Sequence, residues 1–218
     1  MRIRYNIRKR GLVQMTLRDK IRDKKRIVIK VGTTTITYEK TGNINLDKLE
    51  KFVRILTNLR NQGKEVIVVS SGSVAIGRTV LNIEEKPREG AMRQVCAAVG
   101  QARLMMIYEK FFSEYSQITA QILLTRESIT NEECKTQAKI AFEKLLNMGV
   151  IPIVNENDAI SVDEELYGVF GDNDTMAAQV AALVQADLLI LMSDIDGLYS
   201  DDPKKNPDAV KFDSLKYI

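Results

Sequence analysis

Three short segments of this 218-residue chain gather reactive or anion-binding groups just past β-branched runs. They are Lys30 with Gly32, Thr33 and Thr34; Ser70, Ser71, Gly72 and Ser73; and Asn155, Glu156, Asn157 and Asp158. A lysine at a strand end supplies a mobile positive charge for a transferring phosphoryl group. Small residues with open amides leading into a helix suit bound phosphate, because the backbone can approach closely and the helix N-terminus adds partial positive charge. Lys30 taken alone also fits a strand-end lysine reaching solvent, but its place in a buried β-branched run beside Gly-Thr-Thr favours function. Ser70–Ser73 reads either as a plain βα turn or as an anion contact, and two serines with a glycine at a carboxyl edge favour the second.

Gly171, Asp172, Asn173 and Asp174 add to Asn155, Asn157 and Asp158 a dense set of carboxamides and carboxylates. Carboxylates accept from an ammonium and amides donate to carboxylates, so such a set can hold an amino acid. Asp172 or Asn173 serves equally well as a helix cap after a turn, and the two roles are compatible. Asp174, in a first helical turn, is read as orienting lysines around phosphates rather than as a base, because a carboxylate acceptor is already ionised at neutral pH. One alternative is a P-loop NTPase: Gly72 to Thr79 reads G-x-x-x-x-G-R-T, and DLLILMSD ends in Asp194 like a Walker B strand. Arg78 argues against it, since guanidinium replaces the compact Walker lysine poorly, and Val74–Leu81 reads as an apolar helix rather than a bent loop. With no histidine in the chain, imidazole acid–base chemistry and Ser-His triads are excluded. No metal ligand set is assigned.

Positioning these groups requires strand ends that converge. RIVIKV (26–31) reads as a buried parallel strand, and Asn45 caps a helix with Leu46, Leu49, Phe52, Val53, Leu56 and Leu59 at helical spacing, stopped by Gly63. EVIVVS (65–70) follows, completing a βαβ unit whose ligand belongs at the carboxyl ends of the strands. A helical region over roughly 89–115 leads to the strand QITAQILL; Thr130 and Glu133 read as a capping box opening a helix to Gly149; VIPIVN is the next strand. Residues 158–171 read as a hairpin or lid, about 173–185 as a helix, DLLILMS (187–193) as a last strand, and the run after Ser193 as turns without a further strand. The expected fold is α/β, a three-layer αβα sandwich with a mainly parallel central sheet.

Composition is compatible with one domain: 44% of residues are hydrophobic and only four are proline. Residues 1–26 carry 11 Lys/Arg against two Asp, net +9, which leaves −6 for the rest of a chain whose formal total is +3. Residues 1–23 are read as a basic extension, with Met15 an alternative start, and residues 24–218 as the domain. With Tyr5 the only aromatic interleaved there, no nucleic acid is expected as a partner. No apolar run of about 18 residues or signal core occurs, so a cytoplasmic address and no membrane partner are expected. Cys96 and Cys134 fall in helical patterns and are read as reduced, buried thiols.

KVGTTTIT, VVSSGSVAIGR, AAVGQARLM, IPIVNENDAI, GDND and LMSDIDGLYSDDP, in that order from about residue 26 to 212, resemble the glutamate 5-kinase branch of the amino-acid kinase family. The GGG-type loops of acetylglutamate and uridylate kinases and the KFGGTS opening of aspartokinases are absent. The resemblance implies ATP-dependent phosphorylation of the L-glutamate γ-carboxylate, the first step of proline synthesis, with ATP and Mg2+ as cofactors, homo-oligomerisation and proline as a feedback inhibitor. It implies that Lys30 contacts the nucleotide phosphates, that Ser71, Asp158 and Asn173 bind glutamate, that Ser193 and Asp194 line the nucleotide site, and that Asp174 organises catalytic lysines. Gly72 would place its amide at the transferring phosphoryl group. Asn155 and Asp172 join the substrate set as further amide and carboxylate groups. The family continues into a second glycine-rich segment ending in a catalytic lysine, and many bacterial members add a PUA domain; neither occurs in residues 1–218. That departure raises a second alternative, a non-catalytic amino-acid or nucleotide sensor on the same fold. Residues 1–218 alone are therefore expected to show weak or no turnover in a steady-state assay, and a rate comparable to a complete kinase domain would overturn that expectation.

Overall fold

Ile27, Ile29 and Val31 turn to one side of strand β1 (Arg26–Val31) and Val28 to the other, so this continuous apolar run is buried on both faces. Such a strand belongs in a parallel sheet covered by helices on both sides. The computed structural model of the chain, which describes residues 17–38, 41–85, 87, 90–160 and 173–213, places it there. β1 pairs with β2 (Glu65–Ser70) and β5 (Leu188–Met192), and β2 continues to β4 (Ile151–Glu156) and then β3 (Thr119–Leu124). The sheet order is β3-β4-β2-β1-β5, and every ladder is parallel.

Helices α3 (Leu46–Asn61) and α5 (Gly90–Ser113) cover one face, where Leu49, Phe52, Leu104 and Phe112 pack with Ile27, Ile29 and Val68. The other face is covered by α7 (Glu132–Asn147) and α8 (Asn173–Leu183), whose Phe142, Leu146, Met176 and Val180 pack with Val28, Ile67 and Val69. Short helices α1 (Leu17–Arg22), α2 (Thr33–Ile36), α4 (Ser73–Val80) and α6 (Arg126–Thr130) complete the described set. The expected αβα sandwich is therefore present. Residues 1–16, the greater part of the basic arm, lie outside the described residues, as do 161–172, which hold most of the expected hairpin or lid. Among the described residues no helix is long and apolar enough to cross a membrane.

Local signals decide the helix ends. The Asn45 side chain accepts the Lys48 amide at 3.0 Å, and Gly63 at φ +83° follows the end of α3, a conformation that favours glycine. The expected capping box at Thr130 and Glu133 is displaced. Thr125 and Ser128 form the box and open α6, while Asn131 caps α7 by accepting from the amides of Glu133 and Cys134. Thr130 ends α6 instead, its hydroxyl donating to the Arg126 carbonyl, which is the competing local bond available to a threonine four residues into a helix. Cys96 is buried as expected, but Cys134 is exposed because it sits on the outer side of the first turn of α7. The run after Ser193 contains a small antiparallel ladder, β6 (Leu198–Tyr199) with β7 (Lys211–Phe212), where only turns were expected.

At the amino ends of the strands Arg26 ties three elements together. Its guanidinium donates to Glu65 and Glu143 at 2.6 Å each, and its backbone amide donates to Asp187 at 2.8 Å. Hydrogen bonding from Arg26 holds the Glu143 carboxyl below its ordinary range, and the amides of Arg26 and Lys25 do the same for Asp187. A carboxyl depressed in the folded state stabilises the fold above its unfolded pKa, near 4, and that contribution is lost as pH falls through the lower folded value. Arg26→Met is expected to cost about 2 kcal/mol at pH 7 through lost charge-assisted hydrogen bonds. In thermal melts between pH 7 and 3 the variant should start lower yet lose less on acidification than the parent protein.

Candidate active site

Strand alternation aims the polar residues that extend β1, β2 and β4. Side chains on a strand alternate between faces. Val28 faces α8, so Lys30, two residues on, faces it too; Val69 faces α8, and so does Ser71. Lys30 Nζ lies 2.7 Å from Asp174 in the first turn of α8, and the Asn173 amide donates to the Ser71 hydroxyl. On the opposite parity, Ser70 and Asn155 face α5. Ser70 is fully buried with its hydroxyl 3.0 Å from that of Tyr108, whose phenol burial pushes up to about 12. The expected anion contact through both serines is thus narrowed to Ser71, since Ser70 is committed to the core.

The chain leaves β1 and β2 toward the face of α3 and α5, and leaves β3 and β4 toward that of α7 and α8. Neighbouring strands β2 and β4 therefore part to opposite faces, which opens a crevice at their carboxyl ends. A cavity of about 300 Å³ occupies it, lined by Ser71, Gly72, Ser73, Asn155, Asp158 and Asn173, together with Thr33, Val74, Ala75, Arg78, Pro87 and Arg93. All three segments singled out in the sequence meet around this space. Lys30 lies on the neighbouring strand, and the Ser71 amide donates to the Val31 carbonyl at 3.2 Å, joining the β1 and β2 loops.

Asp158 takes the Ser73 hydroxyl at 3.3 Å and pairs with Arg93 at 3.6 Å. Asn155 is buried, its amide donating to Gln101 at 2.9 Å and its oxygen accepting the Glu156 amide at 2.9 Å. These bonds fix the orientation of Asn155 at the crevice wall and engage one of its two amide N–H donors. Ser193 and Asp194 are exposed beyond β5, on the far side of Lys30 from the cavity, with Met192 paired to Val31. The Asp194 carboxyl is bonded to Lys204, which holds it below its ordinary range. Gly171 and Asp172 lie outside the described residues.

Gly72 has φ +104° and stands immediately before α4, a conformation that favours glycine. The second glycine of the Walker-like pattern has another purpose. A Cβ on Gly77 would lie 1.8 Å from the Cys96 carbonyl oxygen, and one on Gly100 1.7 Å from that of Ser73. Backbones of α4 and α5 are in direct contact, which fixes the turn carrying Gly72 and Ser73, and because Gly77 and Arg78 lie inside helix α4 the pattern does not form a Walker-type loop. Sequence reasoning missed Arg93, although a cation in the first turn of a helix opposes the helix dipole and so signals a nearby carboxylate. Gln101 and Tyr108, which fix Asn155 and Ser70, carried no comparable signal.

The sequence model of the Amino acid kinase family matches residues 25–218. A glutamate 5-kinase of Clostridium perfringens is 51% identical over 195 residues, which are 88% of this chain and 72% of that protein. A glutamate 5-kinase of Carboxydothermus hydrogenoformans is 51% identical over 193 residues, 88% of this chain and 51% of that protein, so the chain spans about half of it. Among solved structures, an isopentenyl phosphate kinase product complex of T. acidophilum aligns with TM-score 0.57 at 20% identity, over 85% of this chain and 77% of that one, a likeness of fold.

Because a methyl group at position 100 would strike the Ser73 carbonyl, Gly100→Ala is expected to push α4 away from α5 at a cost of about 1–3 kcal/mol or more. A thermal melt within 1 °C of the parent protein would show that the helix contact does not constrain the site.

Proposed function

Because the chain belongs to the amino acid kinase family, in the branch of the glutamate 5-kinases, we propose that it transfers the γ-phosphoryl group of ATP to the γ-carboxylate of L-glutamate. The observation that carries this reading is the order of groups across the carboxyl edge of the sheet. The crevice between β4 and β2 holds amide, hydroxyl and carboxylate groups; Lys30 and Gly72 stand in the middle; Ser193 and Asp194 lie beyond β5. Amino acid, transferring phosphoryl group and nucleotide can follow that order in a line, as an in-line displacement requires.

In this mechanism a γ-carboxylate oxygen attacks the γ-phosphorus of ATP as the bond to the β–γ bridging oxygen breaks, giving γ-glutamyl phosphate and ADP. The acceptor is ionised at neutral pH, so no general base is needed. Lys30 neutralises charge on the phosphoryl oxygens, and its ion pair with Asp174 aims the ammonium along the strand end. The Gly72 amide, at the start of α4, donates to the same oxygens. Asp158 and Asn173, with Ser71, hold the substrate's ammonium and polar edges; Asn155 and Asp172 complete that set, Asn155 through the wall it shapes. Ser193 and Asp194 contact the nucleotide. Magnesium is proposed to be held chiefly by the phosphates, where it would neutralise their charge. Homo-oligomerisation belongs to the same reading and is supported by exposed Met92, Val95 and Met106 along one stripe of α5. Inhibition by proline rests on the resemblance of sequence.

Calorimetric titration is expected to show saturable binding of L-glutamate and none of L-aspartate, which is one methylene too short to reach both ends of the crevice. Asp158→Ala should abolish glutamate binding while nucleotide binding changes less than about threefold. Equal binding of both amino acids by the parent protein, or parallel loss of both ligands in the variant, would sink this assignment.

A further inference from the structure

Arg78, in the Walker-like pattern, is left without a task by the proposed mechanism. It lies in the last turn of α4, half-buried, and its side chain lines the crevice. Among the described residues no carboxylate pairs with its guanidinium, whereas Arg93 on the same wall is engaged by Asp158. A partly desolvated guanidinium beside a cavity can be completed by an anion bound there. The same cavity of about 300 Å³ also holds Asp158, which can exchange its ion pair with Arg93 for a ligand's ammonium, so the lining can accommodate a zwitterion.

Distance along α4 selects which anion. The phosphoryl group meets the acceptor at the start of the helix, beside Gly72, and Arg78 is five residues past Ser73, roughly 7.5 Å farther along the axis at the helical rise. A carboxylate held there is the one remote from the transferred phosphate. We propose that Arg78 is a specificity-determining residue that holds the α-carboxylate of the amino-acid substrate, in a charge-assisted, bidentate hydrogen-bonded pair. This rests on the reading of the crevice as the glutamate site. It gives the site a ruler: Gly72 and Lys30 mark the reacting end, Arg78 the anchored end, and Asp158 the ammonium between them.

The test is calorimetric titration of the parent protein, Arg78→Met and Arg78→Lys with L-glutamate and with 4-aminobutyrate, which keeps the reacting carboxylate and an ammonium but lacks the α-carboxylate. The parent protein should prefer glutamate. Arg78→Met should weaken glutamate by about 10- to 100-fold, the loss expected for a charged hydrogen-bonded pair, and leave 4-aminobutyrate within about threefold. Arg78→Lys, which keeps the charge and most of the stem, should recover part of the preference. An unchanged glutamate-to-4-aminobutyrate ratio in Arg78→Met, whether both ligands still bind or both are lost, would overturn the assignment; so would a loss confined to ADP in a parallel titration. Failure of the parent protein to bind glutamate at all would instead overturn the functional reading on which it stands.

Discussion

The site depends on the two-residue alternation of parallel strands. Inside the sheet that alternation divides Ile27, Ile29 and Val31 from Val28, and Val68 from Ile67 and Val69, between two cores. It does not stop where the apolar residues stop. At the carboxyl ends Lys30 and Ser71 inherit the face of α8, and Ser70 and Asn155 inherit the face of α5. One parity delivers groups to Asp174 and Asn173 beside the crevice; the other spends its polar atoms on Tyr108 and Gln101. A register slip of one residue in any of these strands would exchange the two sets and dismantle both the core and the site.

Topology converts those strand ends into a cavity. Because β2 sends the chain toward α4 and α5 while β4 is followed by α8 on the other face, the space between them stays open. The contact of Gly77 and Gly100 then lets α4 settle against α5 with no side chains between the backbones. At these two positions there is no room even for a methyl group, and Gly72 with Ser73 is held at the crevice.

Within the crevice several charged and polar groups are held by partners of their own. Lys30 pairs with Asp174, Asp158 with Arg93 and Ser73, and Asn173 with Ser71. Such pairs limit the cost of partly burying charge and set the directions of the side chains before a substrate arrives. Binding at this crevice, as proposed, would exchange some internal partners for ligand atoms rather than order free side chains. Arg78 differs in having no carboxylate to exchange among the described residues, which is why its position argues for a ligand of its own.

Much of this was legible in the sequence. The β-branched runs at 26–31 and 65–70, the Asn45 cap and the Gly63 stop are local signals, and local physics decided them. The polar clusters after the strands were legible as groups gathered at one sheet edge, and the structure brings Ser71, Gly72, Ser73, Asn155 and Asp158 around one crevice. Where two local choices competed, tertiary contacts or neighbouring caps prevailed: Asn131 rather than Thr130 opens α7, and Ser70 serves Tyr108 rather than an anion. The chain alone dictated which residues would lie at the strand ends, since hydrophobic periodicity is a property of adjacent positions. Only the tertiary structure decided which of them face each other, because strand order and the face each helix covers are set by packing between segments far apart in sequence.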